Sequence, residues 1–133
     1  ALNSLCESDF FKAAICKYPV IDLIDMHHNT HRFEKYYLNS LVGDYHHSML
    51  EYKNRSPLNK INKIKKPILL FHGTEDKVIS YKQSLRIQKQ LSESNKNSEL
   101  ILFQNEGHGF KNIENKKIVI KKAEEFLNKH LNI

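Results

Sequence analysis

Apolar residues fall into two patterns along this chain: short unbroken runs, and longer stretches in which they recur every three or four positions. Ile68-Leu69-Leu70-Phe71 and Leu100-Ile101-Leu102-Phe103 are unbroken runs. Continuous apolarity over so few residues suits a strand covered on both faces, as in a parallel sheet. Ala13-Ala14-Ile15-Cys16-Lys17-Tyr18 predicts another short strand, closed by Pro19, which cannot donate to a ladder. Strands are therefore expected at about 13–18, 68–71 and 99–103. Spaced apolar positions predict helices elsewhere. Leu85, Ile87 and Leu91 mark a helix over 81–92 with Ser80 as its N-cap. Ile118, Val119, Ala123, Phe126, Leu127 and Leu131 mark a last helix over about 114–131. Ala1, Leu2 and Leu5 read as the apolar face of a helix that ends within residues 1–8.

Between the first two strands, residues at about 21–57 carry no strand pattern. Phe33, Tyr37, Leu38 and Leu41 have helical spacing, Gly43 is a stop, and 45–52 predicts a further short helix. This is a helical excursion, a usual place for a substrate-shaping cap. A short connection, 58–64, leads to the second strand, and 92–98 reads as a polar, mobile loop. Strands alternating with helices define the class as α/β, with parallel strands and flanking helices. At 133 residues the chain fits one domain but is short for a complete α/β enzyme.

Charge changes this picture little. The net charge is +6 and the pI near 9.3, but the cations are 18 Lys against 3 Arg, spread along helices rather than interleaved with aromatics. Base and phosphate readers lean on Arg, so nucleic acid is not an expected partner. No apolar run approaches the roughly 20 residues that span a bilayer, and no membrane partner is expected. The first residues lack the charged start and apolar core of a signal peptide. They begin without Met and as if inside a helix, which suggests a truncated start. Cys6 and Cys16 form no disulfide framework, so a reducing, cytoplasmic setting is the default expectation.

Candidate chemistry sits just past two strand ends. His72-Gly73-Thr74-Glu75-Asp76-Lys77-Val78 follows the second strand and Glu106-Gly107-His108-Gly109-Phe110 follows the third. Ligands of open parallel sheets bind beyond the carboxyl ends of the strands. An imidazole can take a proton from a nucleophile when a carboxylate holds its other nitrogen, and Asp76 and His108 are the natural pair for this. Their plainer readings are a turn acid for Asp76 and an ordinary Gly-His-Gly turn for His108. A nucleophile is missing. The four glycines, at positions 43, 73, 107 and 109, flank no serine in a Gly-x-Ser-x-Gly elbow. His27, His28 and His31 form His-His-x-x-His, and 27 and 31 are expected to share a helix face. No Cys cluster or ligating Glu accompanies them, so a solvated or cap-lining role is expected and no metal or cofactor is implied. His46-His47 is less specific still. His72, before a glycine at a strand end, reads as structural. Cys16 lies inside a strand without an activating partner.

These motifs resemble the C-terminal portion of the α/β-hydrolase domain in the prolyl oligopeptidase family of serine peptidases, which includes dipeptidyl peptidases and acylaminoacyl peptidases. His-Gly-Thr-Glu-Asp at 72–76 resembles the family's acid loop and Glu-Gly-His-Gly-Phe at 106–110 its histidine loop. Asp-Phe-Phe-Lys-Ala-Ala at 9–14 and Arg-Ser-Pro-Leu at 55–58 resemble stretches before the corresponding strands. The resemblance implies that 1–133 is a partial peptidase catalytic domain, the C-terminal half of an α/β-hydrolase fold. It implies Asp76 as the triad acid and His108 as the base, with the serine elbow and a β-propeller upstream of Ala1. An isolated chain is then inactive. Its partners are the missing upstream half of the domain and a peptide or acyl-peptide substrate. A homo-oligomer could form through the exposed sheet edge. Ser80 departs from the proline that family members often carry there. Two other readings stand: a fragment of an α/β-hydrolase esterase, and a non-catalytic interaction module.

Overall fold

The computed structural model of the chain describes residues 1–94 and 97–131. Strand β2, Ile68–Gly73, is buried at every position and lies between β1, Ala14–Lys17, and β3, Ser98–Phe103. Both pairings are parallel, with Cys16 opposite Leu70 and Leu70 opposite Leu100. The unbroken apolar run of β2 is explained by its two faces. Ile68 and Leu70 join Leu2, Leu5, Ile64 and Ile87 in one core cluster. Leu69 and Phe71 join Phe103, Val119 and Phe126 in another. Alternate side chains of a strand point to opposite faces, so a strand covered on both sides needs apolar residues throughout.

The first face is covered by α1, Leu2–Glu7, two 3₁₀ turns at Pro57–Asn59 and Ile61–Lys63, and α5, Lys82–Ser94. The second is covered by α6, Ile113–Leu131. In α5 the expected apolar face is shifted. Leu85 is exposed, while Gln83 and Ser84 are buried beside Ile87 and Leu91. These two polar side chains are tied to hydrogen-bond partners from other parts of the chain, which offset the cost of burying them. Gln83 Oε1 accepts from the Ile21 and Asp22 amides at 2.8 and 3.1 Å, and its Nε2 donates to the Asp22 carbonyl. Ile118 of α6 is likewise exposed, and Val119 and Phe126 carry the packing. The polar loop expected at 92–98 falls partly outside the described residues; α5 runs on to Ser94 and β3 starts at Ser98.

The excursion contains three helices: α2, Leu23–Asn29; α3, Arg32–Val42; and α4, Met49–Arg55. The first was anticipated only through the helix face expected for His27 and His31, and it ends before His31. Its signal is Asp22, whose side chain accepts from the Ile24 and Asp25 amides and so caps the helix start. The helix expected over 45–52 begins later, at Met49. Asp44 draws the His46 and His47 amides onto its carboxylate and makes a turn there instead. Met26, Leu38, Tyr45 and Tyr52 form a third cluster, and Ile79 from the loop after β2 is buried among them. Thr30 also donates to the Val78 carbonyl at 3.0 Å. The excursion thereby braces the segment that follows β2.

Candidate active site

Two loops leave the same end of the sheet, one after β2 and one after β3, and hydrogen bonds stitch them together. The Thr74 amide donates to the Phe103 carbonyl at 3.0 Å, and the Glu75 amide to the Glu106 carbonyl at 2.9 Å. Thr74 Oγ1 accepts from the Asn105 amide at 3.1 Å. Gly73 permits this approach, since a β-carbon there would run into the backbone carbonyls of Glu106 and Gly107. Glu106 anchors the far side of the second loop. Its buried carboxylate accepts from the Lys111 and Asn112 amides and from Asn115 Nδ2, at 2.7–2.9 Å. The bonds from Asn115 and from the Lys111 amide hold its acidity stronger than usual. Gly109, with φ 91°, takes the left-handed turn that carries the chain on to Phe110.

The structure brings Asp76 and His108 together. His108 Nδ1 lies 2.9 Å from Asp76 Oδ2. The Asp76 side chain is fully buried, whereas 38% of the His108 side chain reaches solvent. Asp76 Oδ1 accepts from the Val78 and Ile79 amides, both at 2.9 Å. On Oδ2 it also meets His72 Nε2 at 3.3 Å. Burial by itself would raise the carboxyl's pKa. The hydrogen bonds from His72, the Ile79 amide, His108 and the Val78 amide outweigh it and lower the value from 3.8 to about 2. The carboxylate is therefore ionised near neutrality and can only accept. His108 Nδ1 carries the proton that bridges them, and Nε2 is the basic nitrogen of the neutral ring.

Sequence reasoning reached Asp76 and His108 but missed their support. His72, read as structural, is fully buried. Its Nε2 donates to the Ile79 carbonyl at 2.9 Å, and its Nδ1 pairs with Ser84 Oγ at 2.7 Å. Tyr18, at the end of β1, packs its ring against His108 with centroids 4.5 Å apart. Ser84 and Tyr18 carry no local signal, because each meets its histidine from a different element, Ser84 from α5 and Tyr18 from the end of β1. The histidines of the excursion are placed differently from the expected shared face. The helix stops at Thr30, so exposed His31 lies beyond α2. His27 stacks on the Tyr45 ring at 4.2 Å, and His28 Nε2 meets the Tyr45 hydroxyl at 3.0 Å. Among the described residues no three His, Cys, Asp or Glu side chains converge in a metal-ligating arrangement.

Comparison with known proteins places these features in a wider frame. Dipeptidyl aminopeptidase BIII of Pseudoxanthomonas mexicana is 38% identical over 73 residues, which cover 55% of this chain and 11% of that protein. A solved puromycin hydrolase superposes on 100% of this chain with a TM-score of 0.94 and 27% identity, over 20% of its own length. A puromycin-hydrolyzing peptidase of Mycobacterium tuberculosis matches 98% of the chain with a TM-score of 0.90 and 28% identity, again over 20% of its length. The chain thus spans 11% of this curated relative and 20% of each solved one. The family model of the prolyl oligopeptidase family matches residues 1–133. The fold is the C-terminal half of an α/β-hydrolase domain, and the chain belongs to the prolyl oligopeptidase family.

Proposed function

We propose that this chain supplies the acid and the base of a serine peptidase that hydrolyses peptide or acyl-amide bonds. The observation that carries the reading is the 2.9 Å bond between His108 Nδ1 and the buried, ionised Asp76. In this mechanism His108 Nε2 accepts the proton of a serine hydroxyl as the oxygen attacks the substrate carbonyl. It then returns that proton to the leaving amine. Asp76 keeps Nδ1 protonated and stabilises the imidazolium formed in between. The serine comes from a part of the hydrolase domain outside these 133 residues, where no serine stands in a glycine-flanked elbow. Amide hydrolysis agrees with the names of the relatives, a dipeptidyl aminopeptidase and a puromycin-hydrolyzing peptidase.

Two measurements test this. The isolated chain is expected to show no burst with an activated acyl ester and no labelling by a serine-directed phosphonate, since the covalent step lacks its nucleophile. In the longer peptidase that carries this segment, His108→Ala is expected to lower turnover by several orders of magnitude. Asp76→Asn is expected to cost somewhat less, on the order of 10⁴-fold or below, because the acid orients rather than transfers the proton. Full turnover in His108→Ala, or phosphonate labelling of the isolated chain that His108→Ala abolishes, would overturn the assignment.

A further inference from the structure

Tyr18 combines three features that do not occur together by local preference. Its φ is 51°, a left-handed value that is costly for a bulky side chain. It also precedes Pro19, whose ring narrows the conformations open to the residue before it. The half-buried ring rests against the His108 imidazole at 4.5 Å, against Phe110 at 5.0 Å and edge-on to His72 at 5.9 Å. Its hydroxyl accepts the Phe110 amide at 3.1 Å, two residues beyond His108. The strand itself is held in register here, because the Tyr18 amide donates to the Phe71 carbonyl at 3.0 Å. The strained turn therefore aims a rigid side chain from β1 across the end of β2 and onto the loop after β3.

We infer that Tyr18 is a positioning residue for His108: its ring packs against the imidazole at a tilt of 42°, and its hydroxyl pins the backbone of the histidine loop. This rests on the reading of His108 as the base. Asp76 constrains the imidazole through one nitrogen only, and a single hydrogen bond leaves the ring free to swing about it. The Tyr18 ring blocks that swing on its side, and the Phe110 bond keeps the loop from carrying His108 away from the carboxylate.

The test is steady-state kinetics in the active peptidase that includes this segment, with turnover expressed per serine titrated by a phosphonate. Tyr18→Phe keeps the ring and loses the pin; kcat is expected to fall about threefold to tenfold at unchanged KM, the scale of one hydrogen bond. Tyr18→Leu loses both and is expected to cost about 10²-fold in kcat, the scale of a small misplacement of a catalytic group. A purely structural Tyr18 would lower the titrated fraction and leave kcat per site within twofold, which would overturn the inference. So would a rise in KM with kcat intact. If Tyr18→Leu does not fold, Tyr18→Phe decides alone. His108→Ala, run alongside, separates the two readings. Retained activity there removes the base assignment itself, whereas lost activity there with unaffected Tyr18 variants removes only the role of Tyr18.

Discussion

Burial would favour a neutral Asp76 carboxyl, yet three hydrogen-bond donors, the Val78 and Ile79 amides and His108, together with His72 Nε2 at 3.3 Å, hold it ionised. The consequence is a stability that depends on acid. Its pKa falls from 3.8 to about 2 on folding, so between these values the unfolded chain binds more protons than the folded one. Stability then rises with pH across this window. The contribution, on the order of 2 kcal/mol, is fully present above about pH 4 and is lost as pH falls through about 2. Urea unfolding of the chain between pH 2 and 6 is expected to show this slope, and Asp76→Asn to flatten it. Equal slopes in both proteins would refute the coupling. At Ser84 a different residue-level effect applies. Removing its hydroxyl leaves His72 Nδ1 buried without its 2.7 Å partner. Ser84→Ala is expected to cost about 1–3 kcal/mol, the desolvation penalty of an orphaned polar atom. A chemical melt that matches the parent protein would show that water replaces the bond.

At the scale of elements, the loops after β2 and β3 act as one unit because Gly73 lets them close. A methyl group at that position meets the backbone of Glu106 and Gly107, which cannot rotate away as a side chain could. Gly73→Ala is therefore expected to destabilise by about 1–3 kcal/mol, or more, as overpacking does. It is also expected to break the Asp76–His108 bond by pushing the loops apart. Loss of that bond is visible as loss of the shared Nδ1 proton signal in the NMR spectrum; an unchanged signal and melting midpoint would show that the loops absorb the methyl group. The helices of the excursion belong to this unit as well. Ile79 is buried against Tyr45 and Tyr52, and Thr30 bonds the Val78 carbonyl. The elements with clear patterns in the sequence are the three strands, α1, α3, α5 and α6. Strand faces and helix faces repeat over a few residues, so local spacing reveals them. Helices α2 and α4 were missed or misplaced because their starts depend on the side chains of Asp22 and Asp44, which outweigh weak apolar spacing.

For the whole molecule, the sheet order leaves β1 paired on one side only among the described residues. A groove of about 430 Å³ runs beside it, lined in part by Leu2, Ile15, Cys16 and Pro19. In a longer chain the upstream half of the hydrolase domain would pair with this edge. In the isolated chain the open edge, and separately the exposed Phe10 and Phe33, are expected to favour association. Sedimentation velocity over a hundredfold range of concentration is expected to show self-association or precipitation. A single monomeric species throughout would remove the edge as a contact surface. No helix among the described residues is long and apolar enough to cross a membrane.

Sequence by itself determined the α/β class, the three strands and the placement of Asp76 and His108 just beyond two strand ends. Unbroken apolar runs, a glycine-rich turn and the spacing of acid and base are local properties, and they are legible one segment at a time. Tertiary structure alone decided how those ends meet. Pairing of β2 with both neighbours brings Tyr18, His72 and His108 together from three separate strand ends. Packing of α5 buries Gln83 and Ser84 in place of Leu85. A polar residue is buried where long-range partners satisfy it, and those partners are far away in sequence, so no periodicity announces them. The 2.9 Å bond of Asp76 to His108 spans 32 residues of chain. It exists because two parallel strands end side by side and one glycine lets their loops touch.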